Sequence, residues 1–221
     1  MKKHHSFLND SAAVFETGKA VCIGRNYADH IKELDNPVPT QPLLFIKPRT
    51  SFSDLDQGIH LPEIGGDCHY ETEVAILIGK TFTKSSQHPI DHIVGVGMAL
   101  DLTMRDVQSK LKTKGYPWEI AKAFDGSCPI SPFIPIKEFP NLNVIAFELK
   151  IDGAVRQNGQ TELMITSIEA LMTYAAQYFT LLPGDILLTG TPAGVGTLKA
   201  GAQLDLSLDH RFHFKSWIHD H

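Results

Sequence analysis

Glu71 and Glu73, in the stretch His69-Tyr70-Glu71-Thr72-Glu73-Val74, stand two residues apart at the entrance to an aliphatic run. Side chains two apart on a strand leave the same face, so the two carboxylates converge on one point where a cation fits. The same spacing also arises on a solvent-facing strand edge, so the pair alone decides nothing. Asp101 closes the run from Val94 to Leu100 and so ends a buried strand, where a carboxylate is costly unless it is paired or ligated. It is either a third ligand or the N-cap of a following helix. Three hard oxygen donors without His or Cys suit Mg²⁺ or Mn²⁺ better than Zn²⁺, and they leave coordination positions for a bidentate substrate.

Three further segments carry groups for proton transfer or anion binding. In Gly24-Arg25-Asn26-Tyr27-Ala28-Asp29-His30-Ile31-Lys32-Glu33, a short helix places Glu33 one turn after His30. There it can accept from one imidazole nitrogen and raise the basicity of the other; the alternative is an exposed surface pair. Lys122 lies among the apolar and aromatic residues of Trp118–Phe124, where a lysine withdrawn from water needs an anion, unless it snorkels. Thr189-Gly190-Thr191-Pro192-Ala193-Gly194-Val195-Gly196 is a glycine-rich turn that can aim backbone N–H groups at an anion. It lacks the Gly-Lys-Ser/Thr ending of a P-loop, and Gly95-x-Gly97 lacks the third glycine of a dinucleotide fingerprint, so nucleotides are not indicated.

The elements that must position these groups are mostly strands. Leu43–Lys47, Glu73–Ile78, Ile93–Leu100, Val144–Ile151, Ile186–Thr189 and Leu204–Leu208 read as strands bounded by Gly, Pro and Asp. Asp152-Gly153 is a hairpin turn. A helix is predicted from Thr166, with Glu169 completing a capping box and Ile168, Leu171, Met172, Ala175 and Tyr178 on its apolar face. A second, over Thr103–Lys112, puts Arg105 and Gln108 on one face.

Composition sets the frame. The 221 residues suit one domain, with residues 1–20 as a lead-in, and 43% hydrophobic with 20% charged residues describes a chain that folds. A formal charge of -5 without a basic cluster argues against nucleic acid as a partner. The longest aliphatic run, Val74 to Ile78, is far too short to span a membrane. Lys2 and Lys3 lead into polar residues and not into a signal core, and three cysteines without CxxC spacing suit a reducing compartment, so the expectation is the cytoplasm. The histidines at 210, 213, 219 and 221 read as an exposed, loosely ordered tail.

Together and in this order, Gly24-Arg25-Asn26-Tyr27, Glu71-x-Glu73, Asp101, Lys122 and Gly190-Thr191-Pro192-Ala193-Gly194-Val195-Gly196 resemble the fumarylacetoacetate hydrolase family, in particular its short acylpyruvase and oxaloacetate decarboxylase-like members. The resemblance implies an α+β, β-rich fold, the family's mixed β-roll, and a homodimer. It implies Glu71, Glu73 and Asp101 as Mg²⁺ (or Mn²⁺) ligands, and His30, Glu33 and Lys122 as the catalytic groups. Arg25, Arg105, Gln108 and Thr191 match substrate-contacting positions. The implied activity is metal-dependent C–C cleavage of an acylpyruvate such as fumarylpyruvate or acetylpyruvate, releasing pyruvate, with oxaloacetate decarboxylation at the same site. A 2-keto acid isomerase or decarboxylase of the same family, and a catalytically silent metal-binding domain, are the alternatives.

Overall fold

The computed structural model describes residues 3–8, 15–63 and 66–220. In chain order the described strands are β1 (Ala20–Gly24), β2 (Leu43–Lys47), β3 (Phe52–Asp54), β4 (Cys68–Tyr70), β5 (Thr72–Ile78), β6 (Ile93–Leu100), β7 (Thr103–Met104) and β8 (Cys128–Ile130). Then follow β9 (Ile134–Pro135), β10 (Ala146–Ile151), β11 (Ala154–Gln160), β12 (Ile186–Leu188), β13 (Gly196–Thr197), β14 (Gln203–Leu208) and β15 (Phe212–Trp217). Among the described residues, four α-helices accompany them: α1 (Ala28–Glu33), α2 (Arg105–Lys114), α3 (Glu119–Lys122) and α4 (Ile168–Ala175).

The strands form an eight-stranded sheet in the order β2-β1-β12-β5-β6-β8-β3, with β9 beside β6, and two smaller sheets, β11-β10-β14-β15 and β13-β4-β7. The large sheet is mixed, since β1–β12 and β3–β8 run parallel and its other pairs antiparallel. This is the expected α+β, β-rich roll.

The continuous aliphatic run of β5 follows from its central place. Val74, Ile76 and Ile78 pack on one face of the sheet and Ala75 and Leu77 on the other, all fully buried, so neither face admits polar residues. The first face carries the larger core, which includes Val74 and Met98 together with Leu149 and Leu206 of the four-stranded sheet and Met172 of α4. Strand β5 hands directly over from β4, and β6 likewise leads to β7, so the chain changes sheets at Glu71 and at Asp101. The Asp101 N–H donates to the Glu71 carbonyl at 2.8 Å, which locks these two changeover points together.

Several boundaries depart from the sequence reading. Leu142–Val144 is a 3-10 turn, so β10 begins at Ala146. Thr103 and Met104 pair with β4, so α2 starts at Arg105. Helix α4 is capped by Ser167, which accepts from the Ala170 N–H; the Thr166 N–H is taken by the Asn26 side chain, so the Thr166–Glu169 box does not form. The helix ends at Ala175, and Tyr178 lies beyond it, exposed. The C-terminal histidines correct the loose-tail expectation: His210 is in the β14–β15 turn, His213 is on β15, and His219 stacks on His60 at 3.9 Å. His221 lies outside the described residues. The Asp152-Gly153 turn is as expected, with φ of 51° and 78°, the pair of positive values a tight hairpin requires.

Candidate active site

The three carboxylates meet. Glu71, Glu73 and Asp101 each offer an oxygen, all within 4.8 Å of one another, and all three residues are buried. Alternation along β4–β5 brings Glu71 and Glu73 to one side, and the Glu71–Asp101 backbone bond supplies the third. Asp101 caps no helix: α2 begins after Met104, without a side-chain cap.

Two buried lysines and one arginine hold this cluster. Lys122 Nζ donates to Glu71 Oε2 at 2.7 Å and to Asp101 Oδ2 at 2.6 Å. Arg105 Nη2 pairs with Glu71 Oε1, and its Nη1 donates to Gln108 Oε1 at 2.8 Å. Lys47 Nζ lies 2.9 Å from Asp101 Oδ1 and donates to the carbonyls of Leu102, Lys122 and Ser127. Burial alone would raise the Glu71 pKa, but Lys122 and Arg105 outweigh it and hold the carboxyl well below the usual range. Burial would likewise lower the Lys122 pKa, and Asp101 and Glu71 reverse that, keeping it charged.

Among the described residues, Glu73 forms no ion pair of its own. Among the described residues its one hydrogen bond is from the Gly190 N–H to Oε2, at 2.7 Å, and burial followed by the charges of Asp101 and Glu71 pushes its pKa well up. A carboxylate crowded by two others, without an ion pair of its own, is what a divalent cation at the triad would neutralise. The donor set therefore fits such an ion: hard, buried, oxygen-only and clustered.

The remaining predicted residues gather around the same cavity, of about 40 Å³, room for roughly three waters. Arg25, His30, Glu71, Glu73, Arg105, Gln108, Lys122 and Thr191 line it. Glu33 and Asp101 stand behind that lining. His30 Nδ1 is 3.3 Å from Glu33 Oε2, and Glu33 Oε1 in turn accepts from the Gly194 N–H at 3.0 Å. Burial, working against the charges of Glu71 and Glu33, lowers the His30 pKa, so the imidazole is neutral at neutral pH. With its Nδ1–H directed to Glu33, its Nε2 is the free base.

The glycine-rich turn thus spends two N–H groups on the protein's own carboxylates, Glu73 and Glu33, where the sequence reading aimed them at a bound anion. Gly190 (φ 96°) and Gly194 (φ 99°) must be glycine here: a Cβ would come within 2.8 Å of the Asn26 side chain at the first and 2.0 Å of the Arg156 carbonyl at the second. The Thr191 hydroxyl donates to the Thr72 carbonyl and accepts from Gln157 Nε2.

Sequence reasoning missed Lys47, Lys112, Asn26 and the aromatic wall of Phe45 and Trp118. Lys47 ends an aliphatic strand as many surface lysines do, and its main-chain carbonyl partners are 55 to 80 residues away in sequence. Lys112 had a signal, since it continues the helix spacing of Arg105 and Gln108.

Fold and site together are those of the fumarylacetoacetate hydrolase family, to which the chain belongs: residues 19–214 match the family's fumarylacetoacetate (FAA) hydrolase C-terminal domain. It is an enzyme of that family. Among its relatives, the oxaloacetate tautomerase YcgM of Escherichia coli is 46% identical over 95% of this chain and 96% of its own length. The mitochondrial oxaloacetate decarboxylase of Dictyostelium discoideum is 42% identical over 85% of this chain and 87% of its own. Among solved structures, the fumarylpyruvate hydrolase of Pseudomonas aeruginosa, in complex with Mn²⁺ and pyruvate, superposes with a TM-score of 0.90 at 31% identity, covering 100% of this chain and 97% of that one.

Proposed function

We propose that the protein interconverts the enol and keto forms of oxaloacetate or a closely similar 2-keto acid, with Mg²⁺ or Mn²⁺ held by Glu71, Glu73 and Asp101. The observation that carries this reading is the placement of a neutral His30, backed by Glu33, in the same small cavity as the carboxylate triad and Lys122. The identity to an oxaloacetate tautomerase over nearly the whole chain supports the choice of reaction. The cation, when bound, supplies Lewis-acid polarisation of a chelated 2-keto oxygen. His30 Nε2 removes or returns the proton at C3 of the substrate while the 2-oxygen gains or loses its proton to water, and Glu33 holds the ring in the tautomer that keeps Nε2 free. Lys122, charged and fixed by two carboxylates, offers positive charge to the enol oxygen. Arg105, Gln108, Arg25 and Thr191 frame the substrate. Three buried cysteines without CxxC spacing accord with work in the cytoplasm.

Hydrolytic cleavage of acylpyruvates is the second reading, supported by the structural match to a fumarylpyruvate hydrolase. The same His30 base would then take its proton from water. Enol decay and pyruvate release, followed in parallel for oxaloacetate, acetylpyruvate and fumarylpyruvate with Mg²⁺, Mn²⁺ or EDTA, separate the two. Metal-dependent enol decay without pyruvate, lost in Glu71→Ala, is the expected result. Faster pyruvate release from an acylpyruvate would replace the tautomerase reading with the hydrolase one.

A further inference from the structure

A second concentration of charge runs along the cavity wall outward from the triad. Arg105, Gln108 and Lys112 stand at i, i+3 and i+7 of α2 and all line the cavity, so one helix face carries them as a stripe. At ~1.5 Å per residue that stripe covers about 10 Å. Its first member is committed, since Arg105 pairs with Glu71 and donates to Gln108.

Its last member is not. Lys112 Nζ donates to Asn36 Oδ1 at 2.9 Å, and Arg25 Nη2 donates to the same oxygen at 2.9 Å. Among the described residues, no carboxylate forms an ion pair with either cation. Two positive side chains thus meet at one neutral acceptor, with Arg25 Nη1 also donating to the Pro37 carbonyl at 3.4 Å, and both partners are neutral oxygens. Partial burial, then Arg25 and Arg105, lower the Lys112 pKa, as expected for an uncompensated cation. Arg25 also holds a φ of 62°, a left-handed conformation that is uncommon outside glycine and collects at ligand sites.

We infer that Arg25 and Lys112, joined through Asn36, form a subsite for the far carboxylate of a short dicarboxylate whose 2-keto end lies at the triad. The inference rests on the reading that a 2-keto acid occupies this cavity, and it assigns the residues that hold the second carboxylate of a diacid such as oxaloacetate. The subsite makes the length and second charge of the substrate the basis of selection, since the triad end alone treats mono- and dicarboxylates alike.

Calorimetric titration of the Mg²⁺-loaded protein with malate and with lactate tests it, because both carry the 2-hydroxy acid end and only malate has the far carboxylate. Wild type is expected to bind malate at least tenfold more tightly than lactate. Lys112→Gln, at an exposed position, should abolish most of that preference while leaving the lactate Kd unchanged, and Lys112→Arg should retain it. Equal weakening of both ligands, survival of the preference in Lys112→Gln, or no detectable malate binding to wild type would overturn the subsite. Malate preference in a protein that does not turn over oxaloacetate would keep the subsite and sink the proposed reaction; turnover without preference would do the reverse.

Discussion

Lys47 shows how much of the site depends on a residue that never faces it. Its side chain is fully buried and neutralises Asp101 Oδ1 while binding three main-chain carbonyls. Lys47→Met keeps the apolar stem and removes the charge, leaving those oxygens unpaired in a dry interior. Loss of one member of a buried ion pair costs about 3–5 kcal/mol, and urea unfolding of the metal-free variant should show a deficit of that order. His30 makes a separate prediction. Burial keeps the folded imidazole neutral, whereas the unfolded one protonates near the ordinary value of about 6.5. The unfolded chain therefore binds the extra proton, so this contribution to stability is intact above about pH 6.5 and is lost as pH falls below it. Melting temperatures of wild type and His30→Asn on either side of that pH should diverge, with the variant losing less on acidification. The rate should likewise persist below the usual histidine range. Glu71, Glu73 and His30 were legible because their partners are local or their spacing is periodic. Lys47 and Asn26 were not, because their meaning lies in carbonyls supplied by distant segments.

Among the elements, the turn after β12 links the two halves of the chemistry. Gly190 holds Glu73 and Gly194 holds Glu33, so one carboxylate of the triad and the partner of the proposed base, His30, are set by one short loop. Gly194→Ala drives a methyl against the Arg156 carbonyl and strains a positive φ, so the Gly194 N–H moves away from Glu33. The expected outcome is a tenfold or greater fall in kcat with Mn²⁺ affinity nearly unchanged, measured by turnover and by metal titration. Equal loss of both would show that the turn acts as one rigid unit. The strands were readable where a face is continuously buried, as in β5 and β6, or where a turn demands positive φ, as at Asp152-Gly153. The helix starts were missed by one or two residues because tertiary partners decided them: β4 claimed Thr103 and Met104, and Asn26 claimed the Thr166 N–H.

Over the whole molecule, no helix among the described residues is long and apolar enough to cross a membrane. Apolar side chains surface instead at one edge of the large sheet, where Leu43 and Leu44 of β2 lie with Tyr174, Tyr178 and Phe179 around a shallow groove. Tyr178 is 62% exposed there. We expect the homodimer implied by the family resemblance, and sedimentation equilibrium should give twice the chain mass of 24.4 kDa. If this edge is its interface, Tyr178→Glu shifts the equilibrium to monomer; an unaltered dimer would place the contact elsewhere.

The aromatic wall of the cavity has an optical consequence. Of the chain's two tryptophans, Trp118 lines the cavity beside Phe45, whereas Trp217 lies on β15 near His219. The indole emission of the unmodified protein is therefore a built-in gauge of occupancy. A Trp217→Phe background would isolate it, so that filling of the cavity can be followed by light alone, without turnover and without an attached dye.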